Sequence, residues 1–436
     1  MRPRQARPRL VQAMLDAFSL PDLRRRILIT LGIVIAFRFV AHVPLPNVDP
    51  AALQDLFGRN ALLGMLDLFS GGAMRKLSVA AMGVYPYITA SIIMQLLMPV
   101  IPKLQALAQE GESGRHKMNQ ITHWLTAPLA GLQGYGQLIY FQREGVITAT
   151  DAMPMATMVL AMVAGTIFCV WLGELITEHG IGNGVSIIIF SGIVAGLPEM
   201  LGRGFLAEGQ AGGLAAYIII TLVTILIIVI FTEAHRRIPV QYAKSVFRGG
   251  RMYRQAGSTH IPLRVNTAGM IPLIFAMSLV IFPALVASYF ANPNVPGLAN
   301  TIVAIFDPNA PLPLGLVYWG LYFGLTIGFA FFYTMVIFEQ QDLPGVLQRQ
   351  GGFIPGIRPG KQTATYLNTV IKRITWAGAL FLAAVAIMPA VAREITNVQV
   401  IQLSSMGMLI VVGVALDTMK QLEAQLAMRR YEGFIK

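Results

Sequence analysis

The most constraining feature of this chain is a run of 19 residues without a charged side chain, LAAYIIITLVTILIIVIFT (214–232). A helix needs about 20 mainly apolar residues to cross the hydrocarbon core of a bilayer, because every backbone polar group must be satisfied within the segment. Other segments of the chain meet the same criterion. The sequence predicts ten transmembrane spans, at roughly 24–43, 77–98, 120–142, 154–175, 184–202, 213–233, 269–290, 314–338, 373–393 and 400–419.

Composition excludes the main soluble classes. Of 436 residues, 55% are hydrophobic and only 12% are charged, whereas soluble domains carry about 25% charged residues. Cys169 is the only cysteine, so an internal disulfide framework is excluded. The wealth of large apolar side chains excludes a disordered chain. The sequence therefore predicts an all-α polytopic membrane protein.

The basic residues are sorted between the two sides of the predicted membrane. An even number of spans puts both termini on one side, and that side carries 26 of the 33 Lys and Arg residues. The opposite side carries 6, and Arg38 lies within the first span. Because Lys and Arg are retained in the cytoplasm, both termini are predicted to be cytoplasmic.

Two long cytoplasmic loops, at about 233–268 and 339–372, carry many of these basic residues. One interpretation is that they are positive-inside anchors near anionic lipid. The other is a docking surface for a large anionic partner such as ribosomal RNA or an acidic protein face, since arginine suits bidentate phosphate or carboxylate contacts. Sequence alone leaves both open.

Chemistry-bearing motifs are scarce. PGIRPGK (355–361) lacks the first glycine and the final Ser/Thr of a phosphate-binding loop, and zinc-protease and nucleophile-elbow motifs are absent. We therefore expect no enzymatic activity, no cofactor and no metal site.

The predicted spans hold few polar groups, which argues against a coupled ion pathway. Thr89 and Gln95 could line an interhelical seam or bond a neighbour. Arg38 lies two-thirds along the first span, where it can snorkel outward. Three other ionisable side chains lie close to span ends and are explained by snorkelling or local hydrogen bonds; these are His123, Glu174 and Asp417.

A short apolar segment follows the first span. NALLGMLDLFSGG (60–72) is too short to cross a bilayer, and two glycines separate it from the second span. Such a segment is either re-entrant or lies flat in the membrane interface.

Several long strings resemble the SecY family, the channel subunit of the Sec protein translocase. In chain order they are FSGGAMRKLSVAAMGVYPYITASIIMQLL (69–97), EGESGRHKMNQIT (110–122), WLGELITEHGIGNGVSIIIFSGIVAGLP (171–198), RRIPVQYAK (236–244), HIPLRVNTAGMIPLIFA (260–276), GGFIPGIRPGKQTATYL (351–367) and RRYEGF (429–434). The resemblance runs from the first span to the C-terminus.

This resemblance implies two pseudo-symmetric five-helix halves, 1–202 and 203–436, with a channel between them. It also implies a narrow ring of aliphatic side chains at the waist of the channel. By motif, the ring residues are Val84, Ile88, Val185, Ile189, Ile274 and Ile410.

The family resemblance gives the short segment a role. Residues at about 61–71 become a plug below the ring, with Gly71 and Gly72 as its hinge. The plug residues are Leu62, Leu63, Leu66, Phe69, Gly71 and Gly72. Spans two and three on one side, and seven and eight on the other, become a lateral gate toward lipid, with Thr89 and Gln95 as gate contacts.

Arginines of the two cytoplasmic loops become docking residues. Arg358 lies in GIRPG and matches a functional arginine of the family, and Arg248 and Arg251 flank the tip of the other loop. The family commonly has paired arginines before the tyrosine of that loop, whereas this chain reads GGRMY (249–253). Which of these arginines contacts a partner is therefore left open.

The function implied is a passive protein-conducting channel of the bacterial cytoplasmic membrane. It would translocate unfolded secretory chains and release membrane segments sideways into lipid. The expected partners are SecE-like and SecG-like membrane subunits, the SecA ATPase motor, the ribosome, signal sequences and precursor chains. The alternative is a secondary transporter of a small solute, which would need a polar site at mid-membrane.

Overall fold

Long helices dominate the described part of the chain. The computed structural model describes residues 18, 20–59, 63, 67, 70–148, 151–206, 211–248, 251–290, 297–307, 310, 314–396 and 405–432. The α-helices are α1 (Pro21–Val40), α2 (Pro50–Arg59), α3 (Tyr85–Leu97), α4 (Pro102–Gln109), α5 (Glu112–Arg143), α6 (Ala152–His179), α7 (Gly184–Leu206), α8 (Ala211–Glu233), α9 (Ile271–Phe290), α10 (Leu298–Ile305), α11 (Leu314–Gln341), α12 (Leu343–Arg349), α13 (Lys361–Thr396) and α14 (Ser405–Glu432). The β-strands are β1 (His235–Arg248), β2 (Arg251–Arg264) and β3 (Gly352–Phe353).

Each predicted span overlaps one of these helices. By length and hydropathy, three helical stretches of the described residues could cross a membrane, Ala152–His179, Leu314–Arg349 and Lys361–Met388. A fourth is reached if α3 and α4, which meet at 105°, count as one span. The apolar helices at Gly184–Pro198, Ile218–Glu233 and Ile271–Ala284 are shorter. The chain is thus a multi-pass helical protein, and the number of ten crossings stays a prediction.

By packing, the chain divides into two compact units. Unit 1 comprises residues 1–211, 281–315 and 399–436, and unit 2 comprises 212–280 and 316–398. The predicted halves, 1–202 and 203–436, rest on a pseudo-symmetry rather than on packing, and that division stays a prediction.

Unit 1 is a helical bundle around α6. Helix α5 packs between α3 and α6, and α6 also contacts α1 and α7. Small residues allow the closest approaches: a Cβ at Gly165 would overlap the Val79 backbone, and a Cβ at Gly184 would overlap the Gly173 carbonyl. The turn that joins α6 to α7 is also fixed, since the Asn183 carboxamide accepts from the Ser186 N–H at 3.1 Å and caps α7.

Unit 2 contains an element that the sequence analysis did not anticipate. Strands β1 and β2 of the first long loop pair as an antiparallel β-hairpin, with His235 opposite Arg264 at its base and Arg248 opposite Arg251 in the last pair. Strand β3 of the second loop joins it, giving the order β2-β1-β3. At the base of the hairpin Ile238 and Val240 are buried and Pro239 between them is exposed, because successive residues of a strand lie on opposite faces.

The two long loops share one apolar core. Ile238 and Val240 of β1 are buried with Leu347 of α12, Ile354 after β3 and Leu367 of α13. Asp342 supports this fold locally, because its carboxylate accepts from the Gly345 N–H at 3.2 Å and caps α12. The loops therefore form one folded surface.

Candidate functional site

The segment between α1 and α3 is packed inside unit 1. Leu63, Asp67 and Ser70 are helical residues with 5%, 5% and 1% exposure. Their spacing of four and three places them on one face of a helix. These three side chains are therefore covered by protein. Of the predicted plug residues, Leu62, Leu66 and Phe69 lie outside the described residues.

The two glycines that end this segment have backbones that require glycine. Gly71 has φ +68° and Gly72 has φ +85°, in the left-handed region. Gly71 also lies against α7, where a Cβ at Gly192 would overlap the Gly71 Cα. On the other side, Phe37 of α1 approaches Gly71, and the Arg38 guanidinium donates to the Gly71 carbonyl at 2.8 Å. The predicted hinge is thus held between two helices.

The predicted ring residues of unit 1 pair along their helices. Val84 is fully buried just before α3, and the Ile88 N–H donates to the Val84 carbonyl at 3.1 Å. Val185 and Ile189 have the same spacing at the start of α7, where Ile189 is buried. Ile410 of α14 is also buried. Each pair therefore forms a short aliphatic patch near a helix N-terminus.

Ile274 belongs to unit 2. It lies in the first turn of α9 and is 7% exposed. Neighbouring Phe275 packs edge-on against Phe329 and Tyr333 of α11, with ring centroids 5.6 and 6.2 Å apart. These aromatic contacts fix the rotation of α9 about its axis, and with it the direction in which Ile274 lies.

The predicted gate residues make hydrogen bonds on α3. The Thr89 hydroxyl donates to the Tyr85 carbonyl at 3.0 Å, and the Gln133 amide of α5 reaches Thr89 at 3.5 Å. The Gln95 amide donates to the Ser91 hydroxyl at 3.2 Å. Among the described residues the Gln95 Oε1 has no hydrogen-bond partner. Thr89 thus lies on the seam between α3 and α5, one of its two predicted locations.

His123 and Glu174 form a polar cluster that the sequence analysis treated as two separate residues. His123 Nε2 of α5 lies 3.0 Å from Glu174 Oε1 of α6, and Tyr87 of α3 stands edge-on to the imidazole with centroids 5.5 Å apart. The cluster joins three neighbouring helices. No local pattern in the sequence could reveal a pair 51 positions apart.

The predicted docking arginines belong to the two long loops that fold together. Arg248 and Arg251 oppose each other in the last pair of the hairpin. Arg358 is exposed in the turn before α13, and its carbonyl accepts from the Thr363 hydroxyl at 2.9 Å. Ile354, four residues earlier, is buried in the loop core. The core therefore positions the turn that presents Arg358.

Comparison with known proteins gives the family. The SecY family model matches residues 78–419. The protein translocase subunit SecY of Streptomyces lividans is 42% identical over 447 aligned residues, covering 98% of this chain and 100% of that protein. The chain belongs to the SecY family. Its all-α channel fold, expected from the resemblance, is confirmed.

Solved structures agree with this SecY assignment at the level of fold. One is a SecY protein whose plug domain stabilises the closed state of the translocation channel and maintains a membrane seal, with a TM-score of 0.63 and 15% identity. The alignment of the two structures covers 94% of this chain and 96% of the SecY chain. The other is Sec61 in the canine ribosome–channel complex from the endoplasmic reticulum, with a TM-score of 0.62, 15% identity and the same coverage. The SecY fold therefore extends over nearly the whole chain.

Proposed function

We propose that this SecY-family chain is a gated protein-conducting channel that passes unfolded polypeptides across a membrane and releases apolar segments into lipid. The observation that carries the proposal is the 42% identity to a protein translocase subunit over 98% of the chain. A relationship of this length leaves no support for the alternative, a small-solute transporter. Such a transporter would also need a polar substrate site at mid-membrane, whereas the predicted spans are almost free of ionisable groups.

The waist of the channel is the proposed aliphatic ring. A narrow apolar constriction loses its water and so blocks ions, while aliphatic side chains offer no strong binding site to a passing peptide. The shared property of the residues is a branched hydrocarbon side chain of moderate size. They are Val84, Ile88, Val185, Ile189, Ile274 and Ile410.

The segment that ends at Gly71–Gly72 is the proposed plug. Burial of Leu63, Asp67 and Ser70 supports this role, because a plug must pack against the protein that it seals. A translocating chain would displace it. Thr89 and Gln95 of α3 are proposed contacts of the lateral gate, where signal sequences bind.

The folded loop surface is the proposed docking site for the partners that supply energy. We expect a SecA-like ATPase motor or a ribosome to contact Arg358 and the hairpin tip at Arg248 and Arg251. The chain itself is non-catalytic in this proposal. SecE-like and SecG-like membrane subunits complete the complex in the bacterial cytoplasmic membrane, with both termini of this chain in the cytoplasm.

Reconstitution tests the proposal. Proteoliposomes that contain this chain, its small membrane subunits, SecA and ATP should make a secretory precursor resistant to added protease. Arg358→Glu should lower this import at least about tenfold, because a charge reversal replaces attraction by repulsion at a docking contact. The control is Arg143→Glu, the same charge change at an exposed residue that ends α5.

Two results would contradict the proposal at different levels. Failure of the unmodified complex to protect any precursor would contradict the channel function. Normal import by Arg358→Glu, with import by Arg143→Glu also normal, would remove Arg358 from the docking site and leave the channel function intact.

A further inference from the structure

The plug segment of unit 1 contains a buried carboxylate that the proposed channel mechanism does not use. Asp67 is 5% exposed and lies in an otherwise apolar stretch of sequence. A buried ionised carboxylate is costly unless it is paired and hydrogen-bonded. Asp67 therefore needs partners, and it has partners on several sides.

One carboxylate oxygen organises the turn that follows the plug. Asp67 Oδ1 accepts from the Ser70 hydroxyl at 3.0 Å, the Met74 N–H at 3.1 Å and the Arg75 N–H at 3.2 Å. The Asp67 carbonyl accepts from the Gly72 N–H at 3.1 Å. The residue thus ties the plug to the turn that leads into α3.

The other carboxylate oxygen pairs with arginine. Arg75 Nε lies 2.9 Å from Asp67 Oδ2, and the Arg75 side chain is 44% exposed against 7% for Asp67. Burial raises the pKa of the Asp67 carboxyl above its ordinary value, and the Arg75 charge, the Ser70 hydroxyl and the two N–H donors oppose this rise. Arg75 therefore favours the ionised form of this buried carboxyl.

A second arginine holds the same turn from α1. Arg38 interacts electrostatically with Asp67 and donates to the Gly71 carbonyl at 2.8 Å. Gly71 in turn lies against Gly192 of α7. The end of the plug is thus fixed to α1, to α7 and to the approach to α3 by contacts that must break together.

We propose that Asp67, Arg75 and Arg38 form a polar latch that keeps the plug seated, so that a translocating chain opens the channel by breaking the latch. The proposal rests on the proposed channel function. It adds to that function the residues that set the balance between the closed and open states. The latch is built from side chains of unit 1 alone.

The latch predicts that substitutions of Arg75 and of Asp67 destabilise the seated plug to different extents. Removing Arg75 takes away the cation in contact with the buried carboxylate and leaves it only the electrostatic interaction with Arg38, which destabilises the seated plug. Removing the charge of Asp67 with an isosteric amide keeps an acceptor for the three donors and leaves an arginine that already reaches water. The seated plug should therefore tolerate Asp67→Asn far better than Arg75→Gln.

Ion leak through the idle complex measures the latch. In potassium-loaded proteoliposomes without precursor, Arg75→Gln should raise the efflux rate about tenfold or more. Asp67→Asn should also raise the efflux rate, but less, because the amide keeps an acceptor for the three donors. The double variant Asp67→Asn/Arg75→Gln should leak no more than Arg75→Gln, because both substitutions break the same ion pair. The matched control is Lys76→Gln, the same charge loss at the exposed neighbouring residue.

The outcomes separate the latch from general damage and from the channel function. A double variant whose leak is the product of the two single effects would contradict the latch, as would an Arg75→Gln leak equal to that of Lys76→Gln. Arg75→Lys keeps the charge, and a leak as large as that of Arg75→Gln would also contradict it. Failure of the channel function is a different result, namely that the unmodified complex imports no precursor.

Discussion

At the scale of single residues, the structure depends on contacts that no local pattern announces. Asp67 is the one acidic residue of the apolar segment NALLGMLDLFSGG, and a lone charge in such a run is the signal that could have drawn attention to it. Its partner Arg75 is eight positions away, and Arg38 is farther still. Periodicity predicts which helix a residue belongs to, but it cannot predict which charges meet.

The contact of Gly192 with Gly71 gives a prediction at the residue scale. A Cβ at Gly192 would overlap the Gly71 Cα, whereas a Cβ at Gly196 of the same helix would meet nothing within 4 Å. We expect Gly192→Ala to be less stable than Gly196→Ala by about 1–3 kcal/mol, because an added methyl in a filled site forces backbone shifts. Thermal unfolding of the detergent-solubilised complex compares the two variants.

Both substitutions replace glycine by alanine in the same helix, so both gain the same helix propensity. The difference in stability between the two variants therefore reports the contacts of the added methyl group. Equal stabilities of Gly192→Ala and Gly196→Ala would contradict the close packing of the plug end on α7.

At the scale of elements, apolar length predicted the positions of the helices well and the structure of the two long loops poorly. Each predicted span overlaps an observed helix, because the apolar side chains that mark a span in the sequence are also the ones that a long helix buries. The hairpin at 235–264 was expected only as a loop. Its signals were present in the alternation of HRRIPVQYAK and in the Gly-Gly pair at 249–250, which favours a tight turn.

The loop core gives a prediction at the element scale. Ile354 is 3% exposed in the cluster that contains Ile238 and Val240, while its neighbour Phe353 is 36% exposed. We expect Ile354→Ala to cost about 2–5 kcal/mol of local stability, because it leaves a cavity beneath the Arg358 turn. Amide hydrogen exchange of Ile238 and Val240 should quicken in Ile354→Ala and change little in Phe353→Ala.

Partner binding tests whether this core positions Arg358. Ile354→Ala should weaken binding of the SecA motor although every arginine is retained, and Phe353→Ala should not. Unchanged exchange in Ile354→Ala would mean that the two loops do not share a core.

At the scale of the whole molecule, charge is sorted rather than merely scarce. Of the 33 basic residues, 26 fall on the side predicted to be cytoplasmic, and the predicted spans are almost free of ionisable groups. A passive conduit needs this arrangement, because a charged waist would bind passing segments or conduct ions.

The proposed ring shows where prediction from local sequence ends. Val84 and Ile410 are separated by most of the chain, and each alone is an ordinary buried aliphatic residue. Hydropathy therefore predicted the helices that carry the ring, and only the family resemblance named its members. The central claim of the proposed function is that these residues face one conduit.

Photo-crosslinking of an arrested precursor tests that claim most directly. A photoreactive amino acid is placed at Ile410, in the proposed ring, or at Leu132, a 71% exposed residue of α5. A precursor halted midway through import should crosslink to residue 410 and not to residue 132. Crosslinking at both positions alike, or at neither, while the precursor is halted in a protease-protected state, would contradict a path through the ring.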